Sequence, residues 1–320
     1  MSFKKIKSDA VSDWERFKDA ERTHIMVGTA TCGRAAGAID VLDTLNRKIE
    51  QHGIDAEIAE VGCMGHCYAE PLVMISKPDQ PAIIYGYVTP GMASVLVDNY
   101  LLKDDPCLEF ALGALDDNEM IPTIYDMPRF QYENRLVLRN CGDIDPQNIN
   151  HYIANGGYAV LESVLGMKQQ DVIDEIKKSE LRGRGGAGFS AGEKWEITRK
   201  TRGDSKYIIC NADEGDPGAF MDRAVLEGDP HAVIEGMIIA AYAVGAAQGY
   251  IYVRNEYPLA VKHARIAVAQ AKKMGLLGDN ILGTDFCFDI EIARGGGAFV
   301  CGESTALMAS LQGKVGEPRP

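Results

Sequence analysis

Two groups of residues in this sequence carry chemistry by their types and spacing. Gly183-Arg184-Gly185-Gly186-Ala187-Gly188 satisfies G-x-G-x-x-G. A loop of this kind lets main-chain amides come close to an anion such as a pyrophosphate. Arg184 inside the loop and Lys194 shortly after it add two cations to such a grip. The second group is Cys63-Met64-Gly65-His66-Cys67, with Cys32 upstream. Cysteines in an intracellular chain are buried small hydrophobes or metal ligands more often than disulfides, and spacing has to separate the two.

Two further stretches concentrate glycines and acids. KYIICNADEGDPGAF reads as a buried strand ending at Cys210 that runs into Asn211, Asp213, Glu214, Gly215 and Asp216. Ionised carboxylates only accept hydrogen bonds, so at a strand's carboxyl end they suit the hydroxyls of a ribityl or ribose chain. ARGGGAFVCGESTALMASL follows another strand and carries Phe299, Gly302, Glu303 and Ser304. Gly302-Glu303-Ser304-Thr305-Ala306 falls one glycine short of the hydrolase elbow G-x-S-x-G, and no histidine lies downstream to complete a triad.

The elements that must position these residues can be read from apolar periodicity. Residues 11–20 predict a short amphipathic helix. HIMVGTATC starts as a strand, GAIDVLDTLNRKIEQHG continues as a helix, and DAEIAEVGC, PLVMISKP and PAIIYGYVTP are strand-like before the helix TPGMASVLVDNYLL. This β-α-β-β-α order over residues 23–102, after an N-terminal segment 1–22, has the layout of a thioredoxin-like domain. Residues 103–130, acidic near Asp116 and broken by Pro106, Pro122 and Pro128, read as a linker. From 131 to 320 the strands RLVLRN, KYIIC, YIYVR and FCFDIEIA alternate with helices, one of them opened by Asp145-Pro146. The fold class is therefore α/β: a thioredoxin-like domain followed by a Rossmann-like domain with a mostly parallel sheet, its ligands gathered at the strands' carboxyl ends. The glycine loop fails the simple dinucleotide fingerprint, because DVIDEIKKSELRG before it is an amphipathic helix and not a strand.

Composition bounds the function. The 320 residues, 46% of them apolar, suffice for two packed domains. A formal net charge of -13 disfavours nucleic acid as a partner, so any phosphate must be held locally. The N-terminus has charges where a signal peptide needs its apolar stretch, and no run spans a bilayer. VIEGMIIAAYAV from Val233 reads as a buried helix, and a cytoplasmic location is expected. His151, His231 and His263 are isolated in sequence and read as structural.

Taken in order, ELRGRGGAGFSAGEKW, CNADEGDPGAF-x-DR and GAFVCGESTALMASLQGK resemble the FMN- and NADH-binding flavoprotein subunit of respiratory complex I and its soluble relatives among electron-bifurcating hydrogenases and other NAD(P)-linked oxidoreductases. The resemblance covers about residues 130–320. It implies that Gly183, Arg184, Gly185, Gly186 and Lys194 hold the FMN phosphate and ribityl chain. By the same carry-over Asn211, Asp213, Glu214, Gly215, Phe299, Gly302 and Glu303 line the flavin, and Phe189 stacks on the base of NAD(H). The activity it implies is hydride exchange between NAD(H) and FMN, with single electrons passed to iron–sulfur partner subunits and no side chain needed as acid or base. Ser304 departs from the family, which has a second glutamate there near the adenosine ribose. Serine would not repel a 2′-phosphate, so NADP(H) joins NAD(H) as an expected substrate.

In the bifurcating-hydrogenase relatives a thioredoxin-like ferredoxin domain holds a [2Fe-2S] cluster with C-x4-C followed by C-x3-C. Cys63 and Cys67 match the second pair, and Cys32 fits the first, but its partner position holds Val27. Two readings stand: a cluster on three cysteines and another ligand, or a degenerate domain kept for docking. Cys107, Cys141, Cys210, Cys287 and Cys301 have no metal-like spacing. In the family the chain continues into a domain with [4Fe-4S] ligands, which this sequence lacks. The expectation is of a fragment, and of a non-catalytic scaffold as the competing function.

Overall fold

The computed structural model describes residues 2–128 and 130–319. The chain folds into two compact units. One comprises residues 11–151 with 227–229, the other residues 1–10, 152–226 and 230–320. The first helix is α1 (Phe3–Phe17).

In the first unit β1 (Thr23–Gly28), α2 (Thr31–Ala35), α3 (Ala38–His52), β2 (Ala56–Val61), β3 (Val73–Ser76), β4 (Ile83–Tyr85) and α4 (Pro90–Val95) follow the expected order. A π-helical turn, Leu96–Leu101, continues α4. With β5 (Ala111–Ala114), the strands line up as β2-β1-β3-β4-β5, with β1 and β2 parallel and β3, β4 and β5 antiparallel to their neighbours. This is the thioredoxin-like arrangement. Period-two alternation divides the sheet into two apolar faces. Ile25, Val27, Val73, Ile75, Ile83 and Tyr85 pack with Val41, Leu45 and Leu96 from the helices. Met26, Met74 and Ile84 point the other way, onto Leu72, Ile124 and Phe130. The i, i+3, i+4 rhythm of Ala38, Val41, Leu45 and Ile49 puts one face of α3 on the first of these cores.

Two expectations change here. The segment 103–130, read as a connector, supplies β5 (Ala111–Ala114), which pairs with β4. RLVLRN is no strand: residues 136–140 lie in turns, and Leu136 and Val137 are 69% and 62% exposed. Its alternating pattern has no strand to pair with. The helix expected at Asp145-Pro146 begins later, as α5 (Ile149–Ala154).

The second unit holds α6 (Leu161–Gly166), α7 (Gln169–Lys178), α8 (Ala191–Lys200), β6 (Tyr207–Ala212), all but the last two residues of α9 (Met221–Gly228), α10 (Pro230–Val244), β7 (Gln248–Arg254), α11 (Pro258–Lys273), β8 (Asp289–Gly295) and α12 (Ser304–Leu311). The sheet β6-β7-β8 is parallel throughout, as strand–helix alternation requires. Val253 pairs with Ala212 on one side and Arg294 on the other, so all three strands end at one edge. Their following loops therefore leave from a common rim. The apolar run from Val233 is part of α10, whose Ile234, Met237, Ile238 and Ala241 are buried. Among the described residues no helix is long and apolar enough to cross a membrane. His151, His231 and His263 are all buried.

Candidate functional site

The site is best built from the rim of the parallel sheet. Asn211 ends the accessible part of β6, and its side chain reaches across to the loop after β8. The Asn211 amide Nδ2 donates to the Gly302 carbonyl at 2.9 Å, while its Oδ1 accepts from the Asp213 amide at 3.2 Å. Gly215 and Phe299 tighten the same junction, because a Cβ on Gly215 would stand 2.8 Å from the Phe299 ring. The second and third predicted loops are thus one structure.

Their acids divide into two kinds. Glu214 accepts from the amides of Asp222 and Arg223 at 3.1 and 3.2 Å, at the start of α9, and from the Tyr257 hydroxyl. Glu303 caps α12: its Oε2 accepts from the Thr305 hydroxyl and from the amides of Thr305 and Ala306, the amides each at 2.9 Å, and these bonds, the hydroxyl's first, hold its carboxyl below the usual range. Both serve helix amino ends, where otherwise unsatisfied N–H groups favour an anion. Asp213 differs. It is 8% exposed, yet neither carboxylate oxygen has a hydrogen-bond partner. Burial raises its pKa, opposed by the positive Arg254. A Cβ on Gly302 would lie 4.0 Å from one of these oxygens. An unpartnered buried carboxylate is costly, so it calls for a ligand that donates hydrogen bonds.

The middle strand adds residues that sequence reasoning missed. Arg254, last in β7, donates to the Glu214 carbonyl at 3.1 Å and to Glu256 at 2.8 Å, and the Tyr257 hydroxyl donates to the same Glu214 carbonyl at 3.2 Å. The signal was present: YVRNEYP leaves a parallel strand at the rim where ligands gather.

The first loop is a hairpin ahead of α8. The Gly183 amide donates to the Phe189 carbonyl at 2.9 Å, and Arg182 bridges Ser190. Ser190 then caps α8 by accepting from the Glu193 amide at 3.3 Å. Gly186 and Gly188 sit at positive φ, +103° and +63°. Gly185 has no such need, and nothing lies within 4 Å of where its Cβ would be. Arg184 is exposed, and the Lys194 ammonium stands 5.9 Å from the centre of the half-exposed Phe189 ring. Ser304 is exposed as the first residue of α12. A cavity of about 580 Å3 opens elsewhere, between α8, the sheet and α12 beside Tyr207, Ile209, Tyr250, Met308 and Leu311. None of the predicted site residues lines it.

In the first unit Cys63 is buried and Cys67 exposed, with their sulfurs 3.9 Å apart. Burial pushes the Cys63 thiol up to about 12. Val27, in the fourth ligand position, is fully buried in the sheet core and paired on both sides. Carboxylates flank Cys32. Glu227 accepts from the Thr31 amide at 2.9 Å, and a Cβ on Gly33 would meet Glu70 at 3.0 Å. Among the described residues no three His, Cys, Asp or Glu side chains are arranged to hold a metal. A [2Fe-2S] cluster takes four ligands and is itself anionic, so this donor set does not fit one.

Residues 176–320 match the family model described as the Nuo51 FMN-binding domain. The matched segment contains every residue of the three loops. The chain is 58% identical over 184 residues to NADP-reducing hydrogenase subunit HndC of Solidesulfovibrio fructosivorans, covering 58% of this chain and 37% of that protein. It is 49% identical over 195 residues to the F subunit of NADH-quinone oxidoreductase from Aquifex aeolicus (strain VF5), covering 60% and 46%. The chain thus spans less than half the length of these curated relatives. Among solved structures, an NAD+-reducing [NiFe]-hydrogenase aligns over 97% of this chain and 50% of its own, with a TM-score of 0.47 and 23% identity. A thioredoxin-like [2Fe-2S] ferredoxin from Aquifex aeolicus aligns over 32% of this chain and 99% of its own, with a TM-score of 0.27 and 20% identity.

Proposed function

We propose that the chain is the FMN- and NAD(P)H-binding part of a multisubunit oxidoreductase that works in the cytoplasm. FMN, when bound, supplies the hydride acceptance and single-electron release that no side chain here can perform. The chain's own residues bind and orient. The glycine hairpin with Arg184 and Lys194 holds the phosphate, and Asp213 accepts from hydroxyl or imide donors of the ligand. Asn211 keeps the two rim loops in register, and Phe299 and Phe189 offer aromatic surface. Electrons pass onward to iron–sulfur partner subunits, the company implied by relatives named as subunits of a hydrogenase and of NADH-quinone oxidoreductase.

The observation that carries this reading is Asp213, a buried carboxylate without a donor between two loops locked together by Asn211. Replacing it separates binding from folding. Asp213→Ala should leave the unfolding midpoint of the apo-protein unchanged or higher, since it removes an unpartnered buried charge. FMN affinity should fall about 10- to 100-fold, the range for a hydrogen bond to a charged group. A purified chain that binds FMN and bleaches on addition of NADH or NADPH rejects the scaffold alternative. A chain that takes up no flavin, or one in which D213A binds flavin normally, defeats the proposal.

A further inference from the structure

The thioredoxin-like unit carries a thiol pair that the flavin chemistry does not use. Cys63 and Cys67 lie on one tight loop, their sulfurs 3.9 Å apart with no disulfide between them. A disulfide is about 2.05 Å long, so the two sulfurs need approach by only about 2 Å. The loop is shaped for it: Gly65 at φ +89° reverses the chain between the cysteines, and its amide donates to the Cys63 sulfur at 3.2 Å. Burial holds the Cys63 thiol in its protonated form, and this bond partly offsets that by favouring negative charge on the sulfur. The pair is also asymmetric, with one thiol at the surface and one at 9% exposure beneath it. Cys32, as shown above, has carboxylates at the residues on either side of it, and the position that would complete a cluster is a core valine.

We infer that Cys63 and Cys67 form a two-electron dithiol–disulfide site, in place of the one-electron cluster that the fold would otherwise suggest. The oxidant is a disulfide-bearing small molecule or peptide. The exposed Cys67 thiolate attacks one sulfur of that disulfide, forming a mixed disulfide and releasing the first thiolate. Cys63, giving up its proton as it reacts, then attacks the Cys67 sulfur and releases the second thiolate, which takes a proton. The two cysteines lose two electrons and two protons, and the external disulfide gains them as two thiols. The inference is independent of the flavin reading, since it concerns only the first unit.

The full chain, reduced with dithiothreitol, desalted without oxygen and equilibrated in glutathione buffers of increasing oxidised fraction, tests it. Remaining thiols are alkylated and the peptides mapped by mass spectrometry. The expected result is the loss of two alkylatable thiols in one transition, with Cys63 and Cys67 joined, reversed by dithiothreitol. Cys67→Ser should abolish the transition and Cys141→Ser should leave it intact. Cys141 is the informative control because it is buried close enough to Cys63 for their charges to interact. Both thiols staying alkylatable in fully oxidised glutathione would overturn the inference, as would a bond mapped from Cys63 to Cys141. So would stoichiometric iron and acid-labile sulfide in the purified chain that disappear in C67S.

Discussion

Asn211 and Gly302 stand 91 positions apart in sequence, yet the Asn211 side chain donates to the Gly302 carbonyl at 2.9 Å and accepts from the Asp213 amide at 3.2 Å. One side chain therefore couples the loop after β6 to the loop after β8 and aims Asp213 between them. Parallel strands ending at one rim make this coupling geometrically available, and the asparagine makes it specific.

Removing that coupling should loosen the rim without unfolding the sheet. Asn211→Ala deletes two hydrogen bonds, each contributing about 0.5–1.5 kcal/mol, so flavin affinity should drop roughly 5- to 100-fold. Quenching of FMN fluorescence on titration into apo-protein gives the number. An affinity within twofold of the parent would mean that Gly302 is held by its own turn.

Two glycines near the site should respond in opposite ways to alanine. At Gly215 the new Cβ would meet the Phe299 ring at 2.8 Å and the Arg254 guanidinium at 3.1 Å, so G215A should lower the melting temperature of the apo-protein by several degrees. At Gly185 it would meet nothing within 4 Å, and the backbone there is not left-handed. G185A should therefore melt like the parent and yet bind FMN more weakly, because only a ligand needs that space. Thermal melts of both apo-variants, paired with FMN titrations, check the contrast.

What the sequence made legible was the strands with strong apolar signatures and the three loops that follow the logic of strand ends. HIMVG and YIICNA are strands because β-branched and apolar residues fill both faces. β5 escaped notice because Ala111-Leu112-Gly113-Ala114 is short and carries no strand preference of its own. RLVLRN misled for the opposite reason, since a good local pattern found no neighbour to pair with. In the site, Glu214 and Glu303 looked the same as Asp213 on paper. Only the folded chain shows that two of these acids are consumed by helix amino ends while the third is left without a donor.

Acid should weaken the second unit through His231. Its Nδ1 meets the Tyr158 hydroxyl at 2.9 Å and its Nε2 meets Gln270 Oε1 at 3.1 Å, so the neutral ring satisfies both partners. Burial lowers its pKa to about 4, against the Gln270 bond. An unfolded histidine titrates near 6.5, so between about 6.5 and 4 the unfolded chain binds the extra proton. Stability is present above that window and is lost as pH falls through it, by up to about 1.4 kcal/mol per pH unit. Urea midpoints of the parent should fall from pH 7 to pH 4. His231→Gln, less stable at pH 7, should show a shallower fall, and an identical slope would assign the effect to other groups.

Ser304 should set the choice between the two nicotinamide dinucleotides. It is exposed at the start of α12, and the adjacent Glu303 carboxylate is drawn back onto the amides of its own helix. The surface beside it thus carries no projecting acid of its own. A 2′-phosphate would meet a hydroxyl there, which can donate to it. Ser304→Glu places an anion in that position, and two like charges at close range in partly solvated surroundings cost about 1–4 kcal/mol. The ratio of NADPH to NADH efficiency, read from flavin bleaching rates, should fall at least fivefold in S304E with FMN binding unchanged. A ratio that does not move would put the dinucleotide's ribose away from α12 and remove Ser304 from its recognition.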